Sequence, residues 1–172
     1  RRIVRLRMKF DTYPQDPAPR IAYCVIELDN LIVTALREFM ISSMLGARRA
    51  MGGRCNPGTV VADEGEASAQ ILRIVNIKKY NNMGSPQHVK KRDEPTVREP
   101  RVVRDILRHV GAKNIASVEN ALSINAFVFD EIPTVRNFFA HRNFDTARKV
   151  RNLGLSIASQ PELSAEELVT RN

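Results

Sequence analysis

The chain has 172 residues, 43% hydrophobic and 6% aromatic with no Trp, and carries a formal net charge of +8. That length suits one domain, spanning 1–172, with a mainly aliphatic core. No apolar run approaches the roughly 20 residues that a membrane-spanning helix needs: residues 21–45 come nearest, but Glu27, Asp29, Arg37 and Glu38 interrupt them. The basic excess favours an anionic partner, with nucleic acid the commonest, and solvated surface charge as the plain alternative.

In chain order, residues 1–19 read as an extended lead-in. Ile3, Val4, Leu6, Met8 and Phe10 suit one edge strand, and Pro14, Pro17 and Pro19 keep the following stretch open. The arginines of 1–7 are not followed by an apolar core, so no signal peptide is read. The first residue is Arg rather than Met, which leaves room for residues ahead of it. A soluble cytoplasmic protein is the expectation.

A long helix is predicted from about Arg20. Ala22, Val25, Ile26, Val33, Leu36, Met40 and Met44 recur at three- and four-residue steps, and Gly46 is its stop. Asp29 falls on that inner stripe and must find a partner there: it pairs with an arginine of the core, Arg136 included, or it lines a cleft. Residues 47–62 hold Gly52, Gly53, Pro57 and Gly58 and are predicted to be a loop. Asp63 and Glu66 form a capping box for a second helix. Residues 80–100 are polar and rich in Pro and Gly, and read as a second long loop, ordered or not. A third helix runs over about 101–110 and stops at Gly111. His109 at its end suits the helix dipole, and His88 in the loop is expected at the surface. Asn114 is the predicted cap of a fourth helix ending near Pro133. A fifth runs from about Thr134 to Ile157, before a tail (159–172) in which Ser164 and Glu167 would cap a short helix. The fold class is therefore all-α, a bundle of about five helices with irregular insertions at 47–62 and 80–100.

Cys24 and Cys55 have no second Cys or His at ligand spacing and are expected to be free thiols. No metal cluster, phosphate-binding Gly loop or nucleophile elbow is read, so no cofactor is expected.

The chemistry concentrates in Arg136-Asn137-Phe138-Phe139-Ala140-His141, followed by Arg142-Asn143. Arginine supplies a fixed charge for a phosphate, and histidine exchanges a proton near neutral pH. On one helix over 135–157, Phe139, Asn143, Ala147, Val150, Gly154 and Ile157 face inward, and His141 lies about 200° round from Phe139. Asn137, four residues before His141, shares its outward face, joined by Phe144 and Arg148. Arg136 is about 140° from His141 on an ideal helix. The two converge only if Arg136 sits in an irregular first turn, which Pro133 would favour, or if a second protomer contributes.

These residues resemble the R-x4-6-H signature, with a polar residue after the Arg, of HEPN (higher eukaryotes and prokaryotes nucleotide-binding) domains. The resemblance implies an all-α HEPN-like bundle over roughly 18–158, with the motif at the start of a late helix. It also implies a homodimer whose two motifs meet in one cleft, and a metal-independent endoribonuclease of a toxin–antitoxin or phage-defence system, governed by an antitoxin or other regulatory protein. His141 would act as general base or acid, Arg136 would stabilise the scissile phosphate, and Asn137 would orient it; Arg142, Asn143 and Arg148 would extend the RNA contacts. The products would be a 2′,3′-cyclic phosphate and a 5′-OH. A non-catalytic HEPN module that binds RNA or a protein is the alternative within the family. A DNA-binding helix–turn–helix over 101–129, with Asn120 and Asn125 as its base readers, and a purely structural subunit are alternatives outside it.

Overall fold

The computed structural model describes residues 17–48, 52–55, 57–122, 128–141 and 143–157. Among them are seven α-helices: α1 (Pro17–Met44), α2 (Glu64–Val75), α3 (Ile77–Asn82), α4 (Pro100–His109), α5 (Ile115–Leu122), α6 (Val128–His141) and α7 (Phe144–Ile157), with a 3-10 turn at Lys91–Asp93. The described residues hold no strand, only an isolated antiparallel bridge between Arg48 and Arg54. The protein is all-α. No described helix is long and apolar enough to cross a membrane. The edge strand over 1–10 and the capped helix near Ser164 lie outside the described residues.

The chain forms two compact units: Val33–Asn125, and the segments Arg1–Ile32 and Ala126–Asn172 together. The predicted stripe of α1 serves the first through Leu36, Met40 and Met44, all buried. The helix closes at Gly46, whose φ of +74° suits a residue without Cβ. Gly46 N–H donates to Ser43 O, and Ala47 N–H to Ser42 O, the paired bonds of a Schellman motif. Gly111 (φ +68°) closes α4 in the same way, through its N–H to Arg108 O and Ala112 N–H to Leu107 O. Its carbonyl accepts from Gly58 N–H at 3.0 Å, and a Cβ on Gly58 would stand 3.2 Å from Val110 O. The two backbones approach as closely as glycine allows, so this loop is fastened to the end of α4.

Asp63 caps α2 as predicted, accepting from Glu66 N–H at 2.9 Å. The Glu66 carboxylate reaches back to Ala62 N–H, one residue before the cap. The Glu66 amide foremost, with His88 beside the carboxylate, holds Asp63 below the usual carboxylate range. Asn114 departs from expectation. Its carbonyl accepts from Val118 N–H, but its side-chain amide turns to Cys55 Sγ at 3.9 Å instead of capping α5. Cys24 and Cys55 are free thiols, and burial raises the Cys24 pKa.

Residues 80–100 are not a bare loop. They take up the end of α3 and the 3-10 turn, and they bury Val89 and Val97. What fixes them is Arg37, whose side chain is 13% exposed on α1. Its Nε and Nη2 both bind the Glu94 carboxylate, the latter at 2.7 Å, while Glu64 and Glu38 take the remaining edges at 2.5 and 2.6 Å. Ser68 Oγ donates to Glu94 Oε1 at 2.7 Å. The bidentate pair is geometrically specific and strong for a hydrogen bond. The bond to Glu94 is the chief reason the Arg37 pKa stands above its ordinary value. Burial pushes Glu94 up, but the hydrogen bonds from Arg37 and Ser68 and the charges of Arg37 and Lys91 outweigh it, leaving a net depression.

Removing one member of such a buried pair strands the other. Glu94→Ala should cost about 3 kcal/mol in urea denaturation, and the double change Arg37→Met with Glu94→Leu should recover most of it. Because the folded pKa of Glu94 is depressed, its contribution is complete above the unfolded value of about 4.3 and is lost as pH falls through the folded value. Acid titration of stability should show that loss in the wild type, reduced in Glu94→Gln.

Candidate functional site

The motif lies in the unit formed by residues 1–32 and 126–172. There α6 and α7 pack through Phe138, Phe139 and Val150, with Val135, Ala147 and the α1 residues Ile21, Ala22 and Val25 against them. Phe138 and Phe139 tilt against each other at 57°, ring centroids 5.4 Å apart, a favourable aromatic geometry.

Two expectations about these helices fail. The chain does not break at Pro133, which is the sixth residue of α6. Proline there removes one hydrogen bond, the one its N–H would have given to Phe129, while the apolar positions Ile132, Val135 and Phe139 run on past it. The predicted single helix over 135–157 is instead two. Asn143 restarts the chain as the cap of α7: its side-chain oxygen accepts from Thr146 N–H at 2.9 Å, and its own N–H donates to Thr146 Oγ1 at 3.2 Å. A third bond runs from Thr146 Oγ1 to Asn143 O. An Asn followed three residues later by a Thr is a capping signal that the sequence reading passed over.

The motif consequently ends a helix instead of starting one. Arg136 and Asn137 are the ninth and tenth residues of α6, and His141 is its last. An irregular first turn therefore cannot bring Arg136 and His141 together. Arg136 lies between Ile132 and Phe139 on the packed side, its Nε 3.7 Å from Oδ2 of Asp29. Asp29 is 1% exposed and Arg136 31%, so of the two placements open to Asp29 the fold uses pairing with this arginine. The far end of the same guanidinium points outward, where Nη1 donates to Asn137 Oδ1 at 3.1 Å.

Asn137 and His141 are both exposed and one turn apart on a regular helix, hence on one face. The three residues thus make a contiguous row: a cation braced from beneath by a buried carboxylate, an amide touching it, and an imidazole beside the amide. Of the residues expected to extend RNA contacts, Arg142 lies outside the described residues. Asn143, expected on the inward stripe, is instead exposed because it caps α7, and its amide oxygen is committed to that cap. Arg148 is exposed on α7 and leans on Asp145 at 3.4 Å.

In the other unit, a cavity of about 160 Å³ lies between Val33, Met40, Ile71, Pro95 and Val97, with Arg37 and Glu94 at its polar side. Those two charges answer each other, and Thr34, Thr96 and Lys91 also line the cavity. The sequence reading missed this cluster, although an arginine one position from Leu36 and three from Met40 on a buried stripe signals that a carboxylate must come to meet it. Comparison with family models, curated proteins and solved structures yields no match for this chain.

Because Arg136 answers a buried carboxylate, Arg136→Ala should destabilise the protein by about 2–3 kcal/mol, whereas exposed His141→Ala should stay within about 0.5 kcal/mol. Parallel urea melts of the two variants check this.

Proposed function

We propose that this protein is a HEPN-type, metal-independent endoribonuclease that acts as a homodimer, with Arg136, Asn137 and His141 as its reactive row. The observation that carries the reading is the Arg136–Asn137 contact at 3.1 Å, which joins the anchored guanidinium to the face that Asn137 shares with His141. A scissile phosphate held there would meet a cation, an amide donor and an imidazole together.

Strand cleavage by the 2′-OH moves two protons. A base takes the 2′-OH proton, the 2′-oxygen attacks phosphorus, the P–O5′ bond breaks, and an acid protonates the departing 5′-oxygen. One copy of the row brings one histidine. Two copies meeting across a dimer supply both, His141 of one as base and His141 of the other as acid. Arg136 carries the charge that builds on the non-bridging oxygens, and Asp29 from beneath keeps its side chain from swinging away. The products are a 2′,3′-cyclic phosphate and a 5′-OH. A cytoplasmic toxin or phage-defence role, held in check by an antitoxin or other regulatory protein, follows from the same family reading.

A helix–turn–helix regulator is the weaker alternative. Of the described residues on α5, those exposed are Ala116, Ser117, Asn120 and Ala121, too few hydrogen-bonding groups to read base edges, and Glu119 is occupied by Arg108.

Labelled RNA incubated in EDTA should be cut by the wild type, leaving cyclic phosphate ends, and His141→Ala should lose about 100-fold or more of that rate. Arg136→Lys, which keeps a charge against Asp29, should fold and cut slowly. Equal cleavage by wild type and His141→Ala would sink the assignment, and binding without cleavage by a folded dimer would leave the non-catalytic module.

A further inference from the structure

The aromatic ring beside the motif is left largely bare by the described residues. Phe144, the first residue of α7, is 81% exposed, although Phe138 and Phe139 a few residues earlier are buried. The inward side of α7 is set by Ala147 and Val150, which pack on those two rings. Phe144, Arg148 and Arg151 follow at i, i+4 and i+7, which puts them within an arc of about 60° centred about 100° round the helix from Ala147 and Val150. Arg148 and Arg151 are both exposed, and they stand roughly 6 and 10 Å from Phe144 along the axis. The helix thus carries a ridge of one bare aromatic ring followed by two guanidinium groups.

We infer that this ridge is a docking surface for single-stranded RNA, with Phe144 stacking one unpaired base and Arg148 and Arg151 taking the adjoining phosphates. The ligand class rests on the RNA reading above, but not on whether the motif cuts. An aromatic face interleaved with cations suits a single strand, whose bases have open π-faces, and not a duplex, whose bases are already stacked. Charge argues the same way: the described exposed side chains of α7 include Arg148, Lys149 and Arg151 against the single carboxylate of Asp145. Asp145 is itself 73% exposed and its pair with Arg148, at 3.4 Å, is a loose one that a phosphate can displace. The same cations disfavour a second copy of this ridge as the occupant.

Phe144 is the third residue after His141, so their Cα atoms are at most roughly 11 Å apart. A base stacked on Phe144 therefore belongs to a nucleotide close to the phosphate that His141 would address. The ring sets where along a strand the row engages, and it demands that the strand be unpaired there.

The test is fluorescence anisotropy in the His141→Ala background, which prevents cleavage, with a short unstructured oligoribonucleotide and a hairpin duplex of matched composition. Phe144→Ala should weaken single-strand binding about 10-fold or more. Phe144→Leu should weaken it similarly, and Phe144→Trp should retain it. The duplex should bind less tightly and be indifferent to all three. Arg148→Gln and Arg151→Gln should each flatten the salt dependence by about 0.7 in log–log slope, while Asp145→Asn should tighten binding. Unchanged single-strand affinity in Phe144→Ala, or equal losses for strand and duplex, overturns the proposal. So does self-association that disappears with the ring, which would make Phe144 a contact between copies. Cleavage is scored separately on the otherwise wild-type chain. Ring-dependent binding by a protein that never cuts removes the nuclease reading and keeps the ridge; His141-dependent cutting with affinity unaffected by Phe144→Ala does the reverse.

Discussion

A charged side chain on the buried side of a helix obliges some other segment to bring it a counter-charge, and α1 carries two such residues. Arg37 draws in Glu94 and Glu64, and with them a polar stretch that has little apolar content of its own with which to pack. Asp29 meets Arg136 from α6. In each unit the apolar stripes supply most of the favourable free energy, but they are non-directional. Which segment lies against which part of α1 is decided by groups that cannot be left unpaired in a medium of low dielectric.

The second of these pairs changes how the reactive motif is understood. An arginine fully in solvent would bind phosphate with a long, mobile side chain that loses much freedom on ordering. Here Nε of the guanidinium lies at ion-pair distance, 3.7 Å, from a buried carboxylate without a hydrogen bond to it, and Nη1 donates to Asn137. The group is oriented before any ligand arrives, and this pre-organisation is the main contribution a protein makes to phosphoryl chemistry that needs little covalent help. The same anchoring gives Arg136 a structural duty, so its conservation or its loss would not by itself speak for catalysis.

Much of this was legible in the sequence, in proportion to how local the cause was. The stripe of α1, its stop at Gly46, the cap at Asp63, the end of α4 at Gly111 and the all-α class all follow from three- and four-residue spacing or from single-residue preferences. The burial of Asp29 was legible, and so was Arg136 among its partners. The errors came from competing signals. Pro133 was read as a helix boundary, though a continuous apolar stripe outweighs one missing hydrogen bond. The break between α6 and α7 was missed because the apolar period runs on with little change of phase, and only Asn143 and Thr146 mark it. The Arg37 cluster joins residues far apart in sequence, and no periodicity reports a contact of that kind. Of the candidate site, the adjacency of Asn137 and His141 came from spacing alone, whereas the link from Arg136 to Asn137 needed coordinates.

The crowding of three carboxylates around Arg37 also limits how this part of the protein can evolve. An isolated ion pair can in principle be inverted, acid for base and base for acid, by two compensating changes. Here inversion would set a carboxylate where Arg37 stands, facing Glu38 and Glu64, and put a guanidinium at position 94 beside Lys91. Every charged neighbour that now reinforces the pair would oppose it. The cluster therefore has a fixed polarity, and the routes left open to it are retention or wholesale replacement by apolar residues.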